Sequence, residues 1–292
     1  MADYGTTRRL YYPQDRVKPQ SWLVDPAQIA TEYRKLLADT VLAVPFWETQ
    51  AGDGHPFDDV SPYHRSLVAV NGNSVIVPSV GACGPMFEFT GNATADRINI
   101  GSILTTDPLC MCNSEEMTFL FFGVLQGRPW NSSNPRIFDK SDGGSCANGW
   151  AVSLADATSV SDMTFWRTSS YSSWRYDNKL ADGKEHSVMF RVISNSVHCF
   201  FDGVDQGSRR TGSGTPTFPA PSVATNAAIG NWNHTTDREF YGHISMVAIW
   251  DRALTNDEIA LLASDPWGLI RPGQSVPTPR RPSSSTAVWL RR

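Results

Sequence analysis

The sequence predicts an all-β fold, a sandwich or barrel of short strands, and three observations carry that prediction. Apolar or alternating runs of four to ten residues recur at regular spacing from about residue 57 onward. Turn-forming pairs separate many of them: Asn71-Gly72, Asp142-Gly143, Asp182-Gly183 and Asp202-Gly203. Gly (22) and Pro (19) are plentiful alongside Trp (10) and Phe (14), which favours short strands over long helices.

In order along the chain, residues 1–24 are polar, dotted with aromatics and contain Pro, and read as an extended arm. A helix follows, with Asp25 as N-cap, Pro26 at its first position, and Ile29, Tyr33, Leu36 and Leu37 on one face; it should end near Asp39. Residues 41–47 read as a short apolar strand interrupted by Pro45. Strands are then expected at Leu67–Val70, Ser74–Val77, Met86–Phe89, Arg97–Ile100, Met117–Val124, Arg136–Phe138, Gly149–Leu154 and Met163–Arg167. Four more are expected at Glu185–Ile193, Ser196–Asp202, Ala227–Gly230 and Phe240–Trp250. The clearest hairpin joins Val188, Phe190 and Val192 to Val197, Cys199 and Phe201 across Ser194-Asn195. In the closing strand, Phe240, Gly242 and Ile244 share one parity and Val247 and Ile249 the other, so one extra residue near Ser245 is needed to restore a common core face. Thr255 and Glu258 form a capping box for a late helix with Ile259 and Leu262 inside, and Asp265-Pro266 stops it. Residues 271–287 are a Pro/Ser-rich linker, and the final VWLRR a docking peptide.

A chain of 292 residues can bury a sizeable core without staples. The net charge of −4 argues against a nucleic-acid-binding body. It divides unevenly, because residues 271–292 hold five Arg and no acid, leaving −9 for the rest. The five Cys (83, 110, 112, 146, 199) leave at least one unpaired in a monomer, and Cys110 and Cys112 share a strand face, a poor geometry for a mutual bond. They read as small buried residues in a reducing compartment. The N-terminal segment lacks an apolar stretch of signal-peptide type, and no apolar run approaches a membrane span. Synthesis in a cytoplasm and no membrane partner are expected.

Several segments resemble laminin G-like, concanavalin A-like jelly-roll proteins. EHSVMFRVISNSVHCFFDGVDQG (185–207) has a His before an alternating strand, a hairpin, then an aromatic strand closed by Asp-Gly. AAIGNWN (227–233), followed by EFYGHISMVAIWDRALTNDEIALL (239–262), is similar to the closing segment of that family. FDDVSPY (57–63) and MFEFTGNATADRINIG (86–101) match its opening. The resemblance implies a two-sheet antiparallel jelly-roll sandwich over residues 41–268, preceded by an arm and helix (1–40) and followed by a Pro/Ser/Arg-rich tail (269–292). DPWGLIRP (265–272) and the basic tail resemble the ends of laminin G-like proteins of tailed bacteriophages. That likeness implies a non-enzymatic virion structural protein, a capsid decoration, head-fibre or tail-associated component assembled in host cytoplasm. Its partners would be the major capsid protein or other virion proteins, in a homo-oligomer or symmetric array.

Candidate sites follow. Partner contacts are expected from Arg8, Arg9, Tyr11, Tyr12 and Trp22 in the arm, and from Trp267, Arg280, Arg281 and Trp289 at the other end. The alternative to a virion role is a lectin module for host-surface glycans, with Trp130, Asn131, Tyr171, Trp174, Trp232 and Asn233 as loop aromatics and amides that stack on and bond to sugars. Calcium is the cofactor candidate, with Asp58, Asp59 and Asp251 as ligands, although Asp58-Asp59 is equally explained as a polar turn. A glycosidase, the second alternative, needs two carboxylates across a sugar. No Glu-x-Asp-x-x-Glu run exists, and Glu115 and Glu116 face opposite sides of a strand. His186 reads as a structural residue at a strand start.

Overall fold

The computed structural model describes residues 31–46, 56–70, 77–80, 85–89, 97–111, 114–125, 135–141, 149–154, 162–167, 172–177, 182–194, 196–210, 225–232 and 238–270. A helix, α1 (Thr31–Ala38), leads into β1 (Thr40–Pro45), β2 (Pro56–Asp58), β3 (Ser66–Val70), β4 (Val77–Val80) and β5 (Pro85–Phe89). Next come β6 (Arg97–Ile103), a 3-10 turn at Pro108–Cys110, β7 (Glu116–Leu125), β8 (Arg136–Lys140), β9 (Trp150–Leu154) and β10 (Asp162–Arg167). The chain continues through β11 (Ser172–Asp177), β12 (Glu185–Ile193), β13 (Ser196–Phe201), β14 (Val204–Asp205), β15 (Thr225–Ile229) and β16 (Gly242–Trp250). It closes with α2 (Asn256–Ser264) and a 3-10 turn at Pro266–Leu269.

Among the described residues these strands form two antiparallel sheets. The first runs β14-β13-β12-β7-β16-β5-β4, with β1 also on β16. The second runs β11-β10-β9-β8-β15-β6-β3-β2. Between them lies the main core: Phe119 and Phe121 of β7, Phe190 and Val192 of β12, and Val247 and Ile249 of β16 face Phe138, Trp150, Phe165 and Trp174 of the second sheet. Phe138 and Trp150 stack with centroids 4.4 Å apart. The sandwich expected from the sequence is the observed fold.

The central strands β7 and β16 are buried on both faces, which requires apolar residues at both parities. The bulge expected near Ser245 is present as a register shift between Ile244 and Met246. It turns Ile244, Val247 and Ile249 inward while Met246, Ala248 and Trp250 face out. Those three outward residues meet Tyr33, Leu36 and Leu37 of α1, Ile259 and Leu262 of α2, and Trp267 and Leu269 of the final turn. Trp250 Nε1 donates to Leu36 O at 2.8 Å, fixing α1 against the sheet. The capping box at Thr255 and Glu258 forms as expected. Glu258 also pairs with Arg252 at 2.8 and 2.9 Å, and Arg252 reaches Asp39 at 3.0 Å, so one guanidinium joins both helices to the end of β16. No helix among the described residues is long and apolar enough to cross a membrane.

Four expectations need correction. β4 runs Val77–Val80, extending three residues past the expected end at Val77, while residues 74–76 lie outside the described residues. Pro45 ends β1 and pairs with Met246, so it sits in the ladder without interrupting the strand. Residues 172–177, read as loop, form β11. Cys110 is disulfide-bonded, so the cysteines are not all reduced, whereas Cys199 is a free buried thiol. Burial among apolar neighbours pushes the Cys199 thiol up, out of reactive range.

Candidate functional site

The two sheets differ on their outer faces. On the second sheet, Val152 and Leu154 of β9, Met163 and Phe165 of β10, and Trp174 and Tyr176 of β11 point into the core. Strand alternation therefore places Ser153, Thr164 and Arg175 on the outer face. Pairing aligns them: Arg136 lies opposite Ser153, Ser153 opposite Thr164, and Thr164 opposite Arg175. At the sheet edge the chain bridges Trp174 to Arg210, and Arg175 N donates to Arg209 O at 3.1 Å, which extends the line by one strand. Arg136, Ser153, Thr164, Arg175 and Arg209 thus form one line across four strands and the edge segment.

The line changes character along its length. Arg136 (1 % exposed) and Ser153 (0 %) are sealed, Thr164 is 2 % exposed, Arg175 is half-buried and Arg209 is exposed. A register shift between Arg136 and Phe138 turns Arg136 and Asp139 to the same side. Asp139 Oδ2 stands 3.4 Å from Arg136 Nε, while its Oδ1 accepts from Ser141 N and Oγ at 3.1 and 2.9 Å. Thr164 Oγ1 is buried without a hydrogen-bond partner. Small residues, Ala151 and Ala228, floor the neighbouring row around Asp139. Beside the inner end, Arg136 N donates to Arg238 O at 2.8 Å, and the Arg238 guanidinium lies 4.3 Å over the Trp232 ring.

At its open end this arrangement offers the guanidiniums of Arg175 and Arg209 beside the buried Thr164 hydroxyl, a set suited to holding an anionic ligand by hydrogen bonds. Asp139, the acid beside the inner end, faces Arg136 and accepts from Ser141.

Sequence similarity bears on the same region. The model of the concanavalin A-like lectin/glucanases superfamily matches residues 101–260, more than half of the chain. The chain belongs to this superfamily. No curated protein matches its sequence. Among solved structures, the botulinum neurotoxin serotype D binding domain is 12 % identical with a TM-score of 0.56, covering 80 % of this chain and 52 % of that one. The binding domain of botulinum neurotoxin DC in complex with SialylT is 12 % identical with a TM-score of 0.54, covering 78 % and 52 %. A Trypanosoma rangeli sialidase is 15 % identical with a TM-score of 0.50, covering 77 % and 32 %. The chain spans about half the length of the two toxin domains and about a third of the sialidase. At these identities the likeness shows the fold.

The sites expected from the sequence fall differently. Trp174 is 1 % exposed, on the core face of β11 against Phe165, so it is a core ring and not a sugar platform. Trp232 is 7 % exposed beneath Arg238 and likewise presents no open face. Trp130, Asn131, Tyr171 and Asn233 lie outside the described residues. Trp267, expected to bind a partner, is 6 % exposed and packs under α1 and α2. Arg8, Arg9, Tyr11, Tyr12, Trp22, Arg280, Arg281 and Trp289 lie outside the described residues.

The calcium ligands do not fit a metal. Asp59 Oδ1 accepts from Ala43 N and Ser61 N, each at 3.0 Å, and Oδ2 accepts from Ser61 Oγ and Arg65 N, each at 2.9 Å. Its lone pairs are spent on organising the turn between β2 and β3. Asp58 and Asp251 are exposed, and no group of three metal-ligating side chains exists among the described residues. His186 has the structural part expected of it, lying between Asp202 (2.8 Å) and Asp182 (3.0 Å) at the start of β12. The Lys184 N–H holds the Asp182 carboxyl down at about 2 against the effect of burial, with His186 adding to it.

The polar line itself was missed. Period-two alternation in Trp150–Leu154 and Met163–Arg167 marks Ser153 and Thr164 as sharing a parity. Their meeting with Arg136 and Arg175 depends on inter-strand register, which alternation does not encode.

Proposed function

We propose that the chain is a non-catalytic glycan-binding module whose binding surface is the outer face of the second sheet. The observation that carries this reading is the difference between the outer faces: one is apolar and covered by helices, while the other bears a line of hydroxyl and guanidinium groups running to an exposed edge. Membership of a lectin/glucanase superfamily supports it. So does the company of a toxin binding domain solved with SialylT, although that ligand is a property of the toxin. Asp139, a buried acid on this face, faces Arg136 and accepts from Ser141, which supports binding without hydrolysis. The Cys110 disulfide supports a working environment that is not reducing. The virion role expected from the sequence rests on residues 1–24 and 271–292, which lie outside the described residues, and on DPWGLIRP, whose described part (265–270) forms a packed 3-10 turn; no structural observation favours that role over glycan binding.

A glycan array tests the proposal. The full chain is expected to be retained by at least one glycan class, and Arg175→Ala is expected to weaken that retention about tenfold with the fold intact by circular dichroism. Retention by no glycan overturns the reading. Release of reducing ends from a bound glycan overturns its non-catalytic part.

A further inference from the structure

Resting on the glycan-binding reading, we infer that the ligand carries an acidic group, a carboxylate or sulfate on a sugar, seated at Thr164, Arg175 and Arg209. These residues form the outer half of the line, where exposure rises from buried hydroxyl to open guanidinium. The two arginines are neighbours across the sheet edge, and the backbone of Arg209 is anchored twice. Its carbonyl accepts from Arg175 N at 3.1 Å, and its N–H donates to Tyr176 Oη at 3.5 Å. Tyr176 Oη itself donates to Val197 O at 2.6 Å, which ties the segment to the first sheet. The anchored backbone sets where the Arg209 side chain leaves the edge, beside Arg175, and a guanidinium meets carboxylate or sulfate oxygens in a bidentate fork.

Thr164 supplies the second observation. Its hydroxyl is buried, faces the same line, and has no partner. An unsatisfied buried hydroxyl is costly to keep, and an anionic oxygen at the Arg175 end would accept its proton.

Charge supports the same conclusion. Outside residues 271–292 the chain sums to −9, so a basic line on this body is a local exception that draws anions to one edge. Arg209 takes part in none of the ion pairs among the described residues. The acid beside the inner end, Asp139, already faces Arg136 and Ser141.

Calorimetry with a panel of acidic oligosaccharides tests this: oligogalacturonate and its methyl ester, and a sulfated galactan and its desulfated form. At least one acidic member is expected to bind at least tenfold more tightly than its neutral counterpart, with affinity falling as salt rises. The double variant Arg175→Gln, Arg209→Gln is expected to erase that preference at unchanged melting temperature. Thr164→Val is expected to weaken acidic binding several-fold. If acidic and neutral members bind alike, or if the double variant keeps the preference, the inference falls and the glycan-binding reading stands. If a single-stranded oligonucleotide of equal charge binds as tightly, the edge is a general polyanion surface and the inference falls. If neither this panel nor the array yields a bound glycan, the glycan-binding reading itself falls.

Discussion

The two outer faces of this sandwich are both built from antiparallel strands, yet they have opposite fates. On the first sheet the outward residues are Leu120, Phe122, Met189, Met246, Ala248 and Trp250, and two helices and a 3-10 turn bury them. On the second sheet the corresponding positions hold Arg136, Asp139, Ser153, Thr164 and Arg175. An apolar outer face has to be covered, because burying it is the main return on folding. The polar line is closed at Arg136, Ser153 and Thr164 and opens at Arg175 and Arg209, where a ligand can reach it. The difference therefore separates the stabilising side of the molecule from the side that can recognise something.

The largest expected effect breaks the covered side. Trp250 is fully buried, packs between α1 and α2, and its indole N–H holds Leu36 O. Trp250→Ala should cost about 3–5 kcal/mol in urea unfolding, from lost burial, a cavity and an orphaned carbonyl. If the faces are separate in function, the surviving folded protein should keep its glycan preference. Loss of binding in a fully folded sample would show that the faces are coupled.

A smaller effect comes through acid. Arg252 beside Glu258 holds the Glu258 carboxyl at about 2, below its ordinary 4.5, with the Thr255 N–H assisting. A carboxyl depressed in the folded state stabilises above its unfolded value, and that stabilisation is lost as pH falls from about 4.5 through about 2. The pair is partly exposed, so the effect is about 1 kcal/mol after solvent screening. Arg252→Gln should flatten the stability profile across that window, while ligand preference at pH 7 stays as it was. A profile that keeps its wild-type slope would show that the helix junction does not set it.

Legibility followed the same division. The β12–β13 hairpin, the capping box at Thr255 and the bulge at Ser245 could be read because each is local: a two-residue turn, a four-residue spacing, a parity switch inside one strand. β11 could not be. In Ser-Ser-Trp-Arg-Tyr-Asp the inward Trp174 and Tyr176 alternate with polar residues, and serines before the run gave it the look of a loop. Read as loop, Trp174 becomes a sugar platform, whereas alternation puts it in the core. The polar line required β11 and three registers, so missing one strand concealed the site. Cys110 was misjudged because only Cys112 was weighed as a near partner, and a disulfide depends on distances that sequence spacing does not give.

The smallest expected effect is the most discriminating. Thr164→Val keeps the shape and β-branching of the side chain and removes only a hydroxyl that has no partner. Replacing a bonded buried hydroxyl in this way costs about 1 kcal/mol, whereas removing an unbonded one relieves a desolvation penalty. The unliganded variant should therefore be as stable as the parent or more stable by up to about 1 kcal/mol in urea. A residue retained only for the fold would show the reverse, with stability falling on substitution. Gain in stability together with loss of acidic-ligand affinity would mean that the unsatisfied hydroxyl is kept for the ligand, a polar exception maintained on the face that the helices leave open.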